Sequence, residues 1–236
     1  MKKTLLIAAA ALTAGVITSQ AQVYSQNIVG YVNVPLTSGQ IQVVSPALDA
    51  DGTGTNNTIT TVFSAPTAGD LVYVFNGSGY DVLSYKLAGR GTPTTGWYNG
   101  GTFAATYSIN PGVAVFYLPS VSETNTQVGT VLQGTNLVNS YVSSAAGGIS
   151  LISSVVPLGG GITSTLGYTP TAGDIIYIFN GSGYDVYSYK LAGRGTPTTG
   201  WYNGPTLSEP TIPVGSGAWL QPVNAGQTWT QNFIAQ

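Results

Sequence analysis

Residues 66–100 and 170–204 are two copies of one stretch. The first reads PTAGDLVYVFNGSGYDVLSYKLAGRGTPTTGWYNG, and the second departs from it at four of 35 positions: Leu71/Ile175, Val72/Ile176, Val74/Ile178 and Leu83/Tyr187. The offset of 104 residues is the length of one ordinary domain, which predicts two units of the same kind. Weaker similarity continues on both sides. Residues 39–45 parallel 147–153, 111–119 parallel 214–222, and 126–133 parallel 228–235. These parallels place one unit over 22–134 and the next over 135–236, with the boundary near 134–136.

Local chemistry assigns both units to the all-β class. Leu71-Val72-Tyr73-Val74-Phe75 is β-branched and aromatic, Asn76-Gly77-Ser78-Gly79 is a turn cluster, and the strand pattern resumes at Tyr80. Strand, Asn-Gly turn, strand is a hairpin signature. It recurs from Ile175. Glycine and proline punctuate the remainder too often for a long amphipathic helix. The expected architecture is two tandem β-sandwich-like or small-barrel units, each of about seven or eight short strands. Three of the four differences exchange one aliphatic for another within a strand, while the polar segment 88–100 is unchanged in 192–204. Loops ordinarily drift faster than cores. Either recombination copied the stretch, or both loops keep one surface because both bind the same thing.

The N-terminus reads as a signal peptide over residues 1–21. Met1-Lys2-Lys3 is basic, an apolar Ala-rich run follows, and Ser19-Gln20-Ala21 fits a small-x-small cleavage site, so the mature chain should begin at Gln22. The expected location is exported: extracellular, periplasmic or at the cell surface. No later segment has the length and apolarity of a transmembrane helix. Charged residues make up only 6% of the chain. Beyond the signal the basic residues are Lys86, Arg90, Lys190 and Arg194, all inside the duplicated stretch. Nucleic acid is therefore excluded as a partner.

Histidine and cysteine are absent, which excludes Ser-His-Asp and Cys-His catalysis and thiolate or imidazole metal sites. The recurring acids are Asp70 and Asp81, with copies Asp174 and Asp185. They sit at turn and strand-edge positions, which suits structure better than paired-carboxylate hydrolysis. No catalytic residue and no cofactor is assigned. Asp49-Ala50-Asp51-Gly52-Thr53-Gly54-Thr55 has alternating oxygen side chains, so Asp49 and Asp51 form a weak calcium candidate. The twelfth position of that run is Thr60, not the acid of an EF-hand, and an ordinary polar loop is the competing reading. The ligand-binding candidates are the two aromatic loops: Arg90, Trp97, Tyr98 and Asn99, and Arg194, Trp201, Tyr202 and Asn203. Aromatic rings beside Asn, Thr and Arg suit a sugar surface, although burial of tryptophan in a β core is the commoner use.

Taken in order, Gly30-Tyr31-Val32-Asn33-Val34, Tyr73-x-Phe75-Asn76-Gly77-x-Gly79-Tyr80, Gly96-Trp97 and Pro111-Gly112-x-Ala114-x-Phe116 resemble a β-module that recurs in exported proteins of environmental bacteria. The resemblance covers nearly the whole mature chain, twice. The module's leading aromatic is missing near Gln40 and Gly148, and Phe75 and Phe179 stand where it commonly has tryptophan. The resemblance implies fold and export, not a reaction. The expected function is a non-enzymatic structural or adhesive protein of the envelope or matrix, with self-association. The alternative is a carbohydrate-binding protein whose partner is a polysaccharide or other surface polymer.

Overall fold

The computed structural model describes residues 28–234 apart from Tyr141, Ser144 and Arg194. The signal-peptide assignment therefore lies outside the described residues. The chain is almost entirely β, as its composition predicts, with one short helix among the described residues.

The first half contains β1 (Val29–Leu36), β2 (Gln42–Val44), α1 (Ile59–Val62), β3 (Leu71–Phe75), β4 (Tyr80–Lys86), β5 (Gly96–Asn99), β6 (Thr102–Phe103), β7 (Val115–Leu118) and β8 (Glu123–Thr130). The second contains β9 (Gly134–Asn139), β10 (Ser150–Ser153), β11 (Gly160–Gly161), β12 (Ile175–Phe179), β13 (Tyr184–Lys190), β14 (Gly200–Asn203), β15 (Thr206–Leu207), β16 (Thr211–Ile212), β17 (Gly217–Gln221) and β18 (Trp229–Phe233). Each half forms a six-stranded antiparallel sheet, ordered β2-β7-β3-β4-β5-β6 in one and β10-β17-β12-β13-β14-β15 in the other. The two orders correspond strand for strand. Each half adds a two-stranded ribbon of its first and last strands, β1-β8 and β9-β18. Pairing passes from one half to the other between Thr130 and Gly134. Gly134, read from sequence as the end of the first unit, opens the strand that pairs with β18.

The hairpins form at the Asn-Gly turns. Asn76 Oδ1 accepts from Ser78 N and Gly79 N at 3.2 and 2.9 Å, and Asn180 does the same for Ser182 and Gly183 at the same distances. Gly77 and Gly181 sit at φ 95° and 96°, a region that favours glycine.

Alternation along each strand gives each sheet two apolar faces. The inner face of the first sheet (Val44, Val72, Val74, Leu83, Trp97, Tyr117) packs under Leu36 of the ribbon and Ile59, Val62 and Phe63 at α1. The second half repeats this core around Ile176, Trp201, Leu220 and Trp229. Three of the four differences in the duplicated stretch line these separate inner cores: Val72/Ile176, Val74/Ile178 and Leu83/Tyr187.

The outer faces pack on each other. Ala114, Phe116, Tyr73 and Phe75 meet Leu151, Trp219, Tyr177 and Phe179 in a third cluster. The contacts obey a pseudo-two-fold relation. Phe75 meets Trp219 at 4.8 Å between ring centroids, and the equivalent pair, Phe179 and Phe116, meets at 5.5 Å. Backbone bonds repeat the relation: Ser45 N donates to Gly215 O and Ser153 N to Gly112 O, both at 2.9 Å. The same two serines donate their hydroxyls to Ser216 O and Val113 O at 2.9 and 3.2 Å. Each half thereby covers the open edge strand of the other, β2 or β10, which would otherwise be a template for adventitious pairing.

The approach is closest at Gly217, where an added Cβ would lie 2.3 Å from Ala114 Cβ and 2.4 Å from Ile152 O. Gly217→Ala should therefore cost about 1–3 kcal/mol through overpacking. Gly79→Ala, whose Cβ would meet nothing within 4 Å, should change stability by less than about 0.5 kcal/mol. Denaturant unfolding of the two variants checks the contrast.

Candidate functional site

The two aromatic loops carry the ligand-binding candidates. In the first, Trp97 lies on the inner face of β5, opposite Tyr85 of β4, and is 1% exposed. Its ring meets Tyr85, Phe63 and Tyr117 at 5.4, 6.0 and 6.4 Å. Trp201, 3% exposed, meets Tyr189 and Tyr168 at 5.3 and 6.5 Å. Both tryptophans are core residues, so neither offers a ring face to a sugar. This corrects the sequence expectation that paired them with a binding surface. Strand alternation is the reason: of two neighbouring aromatics, one must face the core.

Tyr98 points to the outer face but is covered by its own loop. Its hydroxyl donates to Thr94 O at 2.6 Å, Ala88 N donates to Thr95 Oγ1 at 2.9 Å, and Lys86 Nζ stands 5.3 Å over its ring. Tyr202 repeats this with Thr198 O at 2.6 Å and Lys190 at 5.2 Å. The unchanged segment thus wraps a buried tyrosine in each half. Arg90 and Asn203 are exposed, Asn99 is half-buried, and Arg194 lies outside the described residues.

The aromatics that the duplicated stretch does expose are Tyr80 and Tyr184, 44% and 43%. They lie on β4 and β13 beside Val82 and Val186, at the margin of the repeat–repeat contact. Burial, then the nearby Tyr184, pushes the Tyr80 phenol up. Trp219 Nε1 donates to Tyr184 Oη at 3.3 Å. Sequence reading passed over these tyrosines because the margin exists only once the two halves meet.

The recurring carboxylates are structural. Asp70 and Asp174 are fully buried. Asp70 Oδ1 accepts from Ser120 N and Oγ at 2.7 and 2.8 Å, and Oδ2 from Thr67 N and Tyr117 Oη at 2.6 and 2.7 Å. Asp174 accepts from Val223 N, Thr171 N and Tyr168 Oη at 2.8, 2.8 and 2.7 Å. The same phenol position is filled from β7 in one half and from the segment before β12 in the other. Tyr117 also donates to Glu123 Oε1 at 3.0 Å, where the second half has Gln227. Burial, then the charge of Asp70, raises the Glu123 carboxyl. Asp81 accepts from Asn76 Nδ2 at 3.1 Å and from Tyr107 Oη at 2.6 Å. Asp185 keeps the first of these contacts, at 3.2 Å from Asn180.

A mixed pocket of about 300 Å³ opens beside Trp201, lined by Tyr189, Leu207, Ser208 and Glu209. Glu209 Oε1 accepts from Thr163 N and Ser164 N at 2.6 and 2.7 Å. Burial raises the Glu209 carboxyl, but the bonds from Ser164 and Thr163 outweigh it, and the net direction is down. The first half has Ala105 where the second has Glu209, and Phe103 lies over Gly96 as Leu207 lies over Gly200.

Trp97→Ala and Trp201→Ala should each destabilise by about 3–5 kcal/mol. Trp97→Phe should be the milder conservative change. Trp97 Nε1 is buried without a hydrogen-bond partner, whereas Trp201 Nε1 donates to Thr163 Oγ1 at 2.9 Å, so Trp201→Phe loses a bond that Trp97→Phe does not. Thermal melts of the four variants check this order. A second expectation concerns alkali. Burial, then the bond to the neighbouring aspartate, raises the phenols of Tyr117 (Asp70), Tyr168 (Asp174) and Tyr107 (Asp81). Above the ordinary tyrosine range, near pH 10, the unfolded chain sheds protons that the folded chain keeps, so stability falls as pH rises. Melts between about pH 8 and 12 should show this fall. Tyr117→Phe should flatten part of it, at a cost of about 1–3 kcal/mol at neutral pH.

Comparison with protein-family models, with curated proteins and with solved structures finds no match.

Proposed function

We propose that the chain is an exported, non-enzymatic structural or adhesive protein of the cell envelope or matrix, whose two repeats act as one body. The observation that carries this reading is the destination of the shared polar groups. Asp70, Asp174, Tyr98, Tyr202 and the lysines beside them are bound to the protein's own backbone and rings. The chemistry-bearing residues that both repeats share are used to hold the fold. A surface so poor in charge puts little electrostatic repulsion between copies. The signal-like N-terminus and the module resemblance support export. No helix among the described residues is long and apolar enough to cross a membrane.

Surface labelling of intact cells and sedimentation velocity of the mature protein test this. Labelled protein outside the cell and a sedimentation coefficient that rises with concentration are expected. Protein retained inside the cell, or polysaccharide hydrolysis abolished by Asp81→Asn with Asp185→Asn, would overturn it.

The exposed pair Tyr80 and Tyr184 favours carbohydrate binding as the second reading, on different residues from the buried tryptophans. Tyr80→Ala with Tyr184→Ala should then abolish retention on a responsive polysaccharide while the fold persists. A flat response across a glycan panel removes this reading.

A further inference from the structure

Asp49 is fully buried, and its Oδ1 has no hydrogen-bond partner. Its main chain is fixed in a bridge with Thr130, with Asp49 N donating to Thr130 O at 2.9 Å and Thr130 N to Asp49 O at 2.7 Å. Asn57 closes the loop, accepting from Ala50 N at 2.6 Å and donating to Leu48 O at 2.8 Å. An ionised carboxylate held this way calls for a compensating cation or a full set of donors. The basic side chains of the mature sequence all belong to the duplicated stretch, and Lys86 and Lys190 are turned to Gly100 O and Gly204 O.

The residues beyond Asp49 supply oxygens at alternate positions. Asp51 N reaches Asp49 Oδ2 at 3.3 Å, so the Asp49 carboxylate faces this loop. Asp51 Oδ1 lies 2.6 Å from Thr53 Oγ1, which lies 3.1 Å from Thr55 Oγ1. The Asp51 carboxylate accepts hydrogen bonds from the Thr53 hydroxyl, Asn56 Nδ2 and Thr53 N. Gly52 and Gly54, at φ 84° and 79°, turn the chain between these residues. Two carboxylates and two hydroxyls are oxygen ligands of the kind that suits a hard cation of flexible coordination: calcium rather than zinc or copper.

We infer that the loop from Asp49 to Thr55 is a calcium site that braces the junction between the repeats. Gly52 to Thr55 line one wall of a cleft of about 460 Å³, whose other wall includes Leu132, Gln133 and Leu137 at the crossover into the second half. An ion ordering the loop would stiffen that wall. The corresponding segment of the second repeat, Pro157-Leu158-Gly159-Gly160-Gly161, has no acid, so the site occurs once per chain.

Calorimetric titration of the full mature protein with calcium chloride, with melts and limited proteolysis in calcium or in EDTA, tests the inference. One ion per chain is expected, with a midpoint of roughly 10⁻⁴–10⁻³ M, as in other extracellular calcium modules. Calcium should raise the melting temperature and protect the loop, and magnesium should do neither at the same concentration. Asp51 is exposed, so Asp51→Asn should fold normally in EDTA and weaken calcium binding by at least about tenfold. Asp49→Asn should abolish binding, and if that variant fails to fold, Asp51→Asn decides alone. No heat and no melting shift up to about 10 mM calcium, two ions per chain, or an Asp51→Asn protein that binds like the parent would each overturn the proposal.

Discussion

Each six-stranded sheet carries apolar side chains on both faces, and one repeat has material to cover only one of them. The ribbon and the residues around α1 cover the inner face. The outer face, with Tyr73, Phe75 and Phe116 or their equivalents, is covered by the other repeat. Much of the remaining architecture follows from this requirement. The edge strands β2 and β10 are sealed by paired serine contacts between the halves, and Gly217 lacks a side chain because Ala114 occupies that space. The outer-facing aromatics of the duplicated stretch are identical in both copies, because each serves as the other's partner. Differences gather on the inner faces, where each core is private and can repack at small cost.

A chain with so few charges also has to place them carefully. Asp70 and Asp174 are buried without basic partners and are satisfied by backbone N–H groups, hydroxyls and a phenol. A carboxylate with several such donors is an effective anchor for the turns that meet around it. The halves differ in how far they take this. The first places Glu123 close to Asp70 and shares one phenol between them, while the second replaces the glutamate with Gln227 and so avoids a like-charge contact.

The hairpins were legible because their signal is local. Asn76, Gly77 and the flanking β-branched runs act within a few residues, and so do their copies. The two-unit organisation was legible because the duplication is explicit. What the linear pattern hid were the relations across long separations. Trp97 and Tyr98 are neighbours on a strand, and their roles depend on which face the register with β4 turns inward. The turn position of Asp70 was readable, but its burial was not, since Ser120 and Tyr117 arrive from about 50 residues away. Tyr80 and Tyr184 became candidates only through contacts between residues roughly a hundred positions apart. Asp49 and Asp51 were visible as a motif, but the unsatisfied oxygen that gives the motif weight was not.

The placement of the two phenols has a genetic consequence. Tyr168 precedes its copy of the near-identical stretch, whereas Tyr117 follows the other. The stretch is where misaligned strands of the gene would exchange. A crossover there that deletes one period joins the start of the first repeat to the end of the second. The resulting single repeat contains neither tyrosine, and its buried aspartate loses a donor at the centre of the fold. The reciprocal product gains a middle repeat with both tyrosines directed at one carboxylate. The two halves have therefore become non-interchangeable even though the stretch they share remains almost the same. Neither product keeps one tyrosine for each buried aspartate.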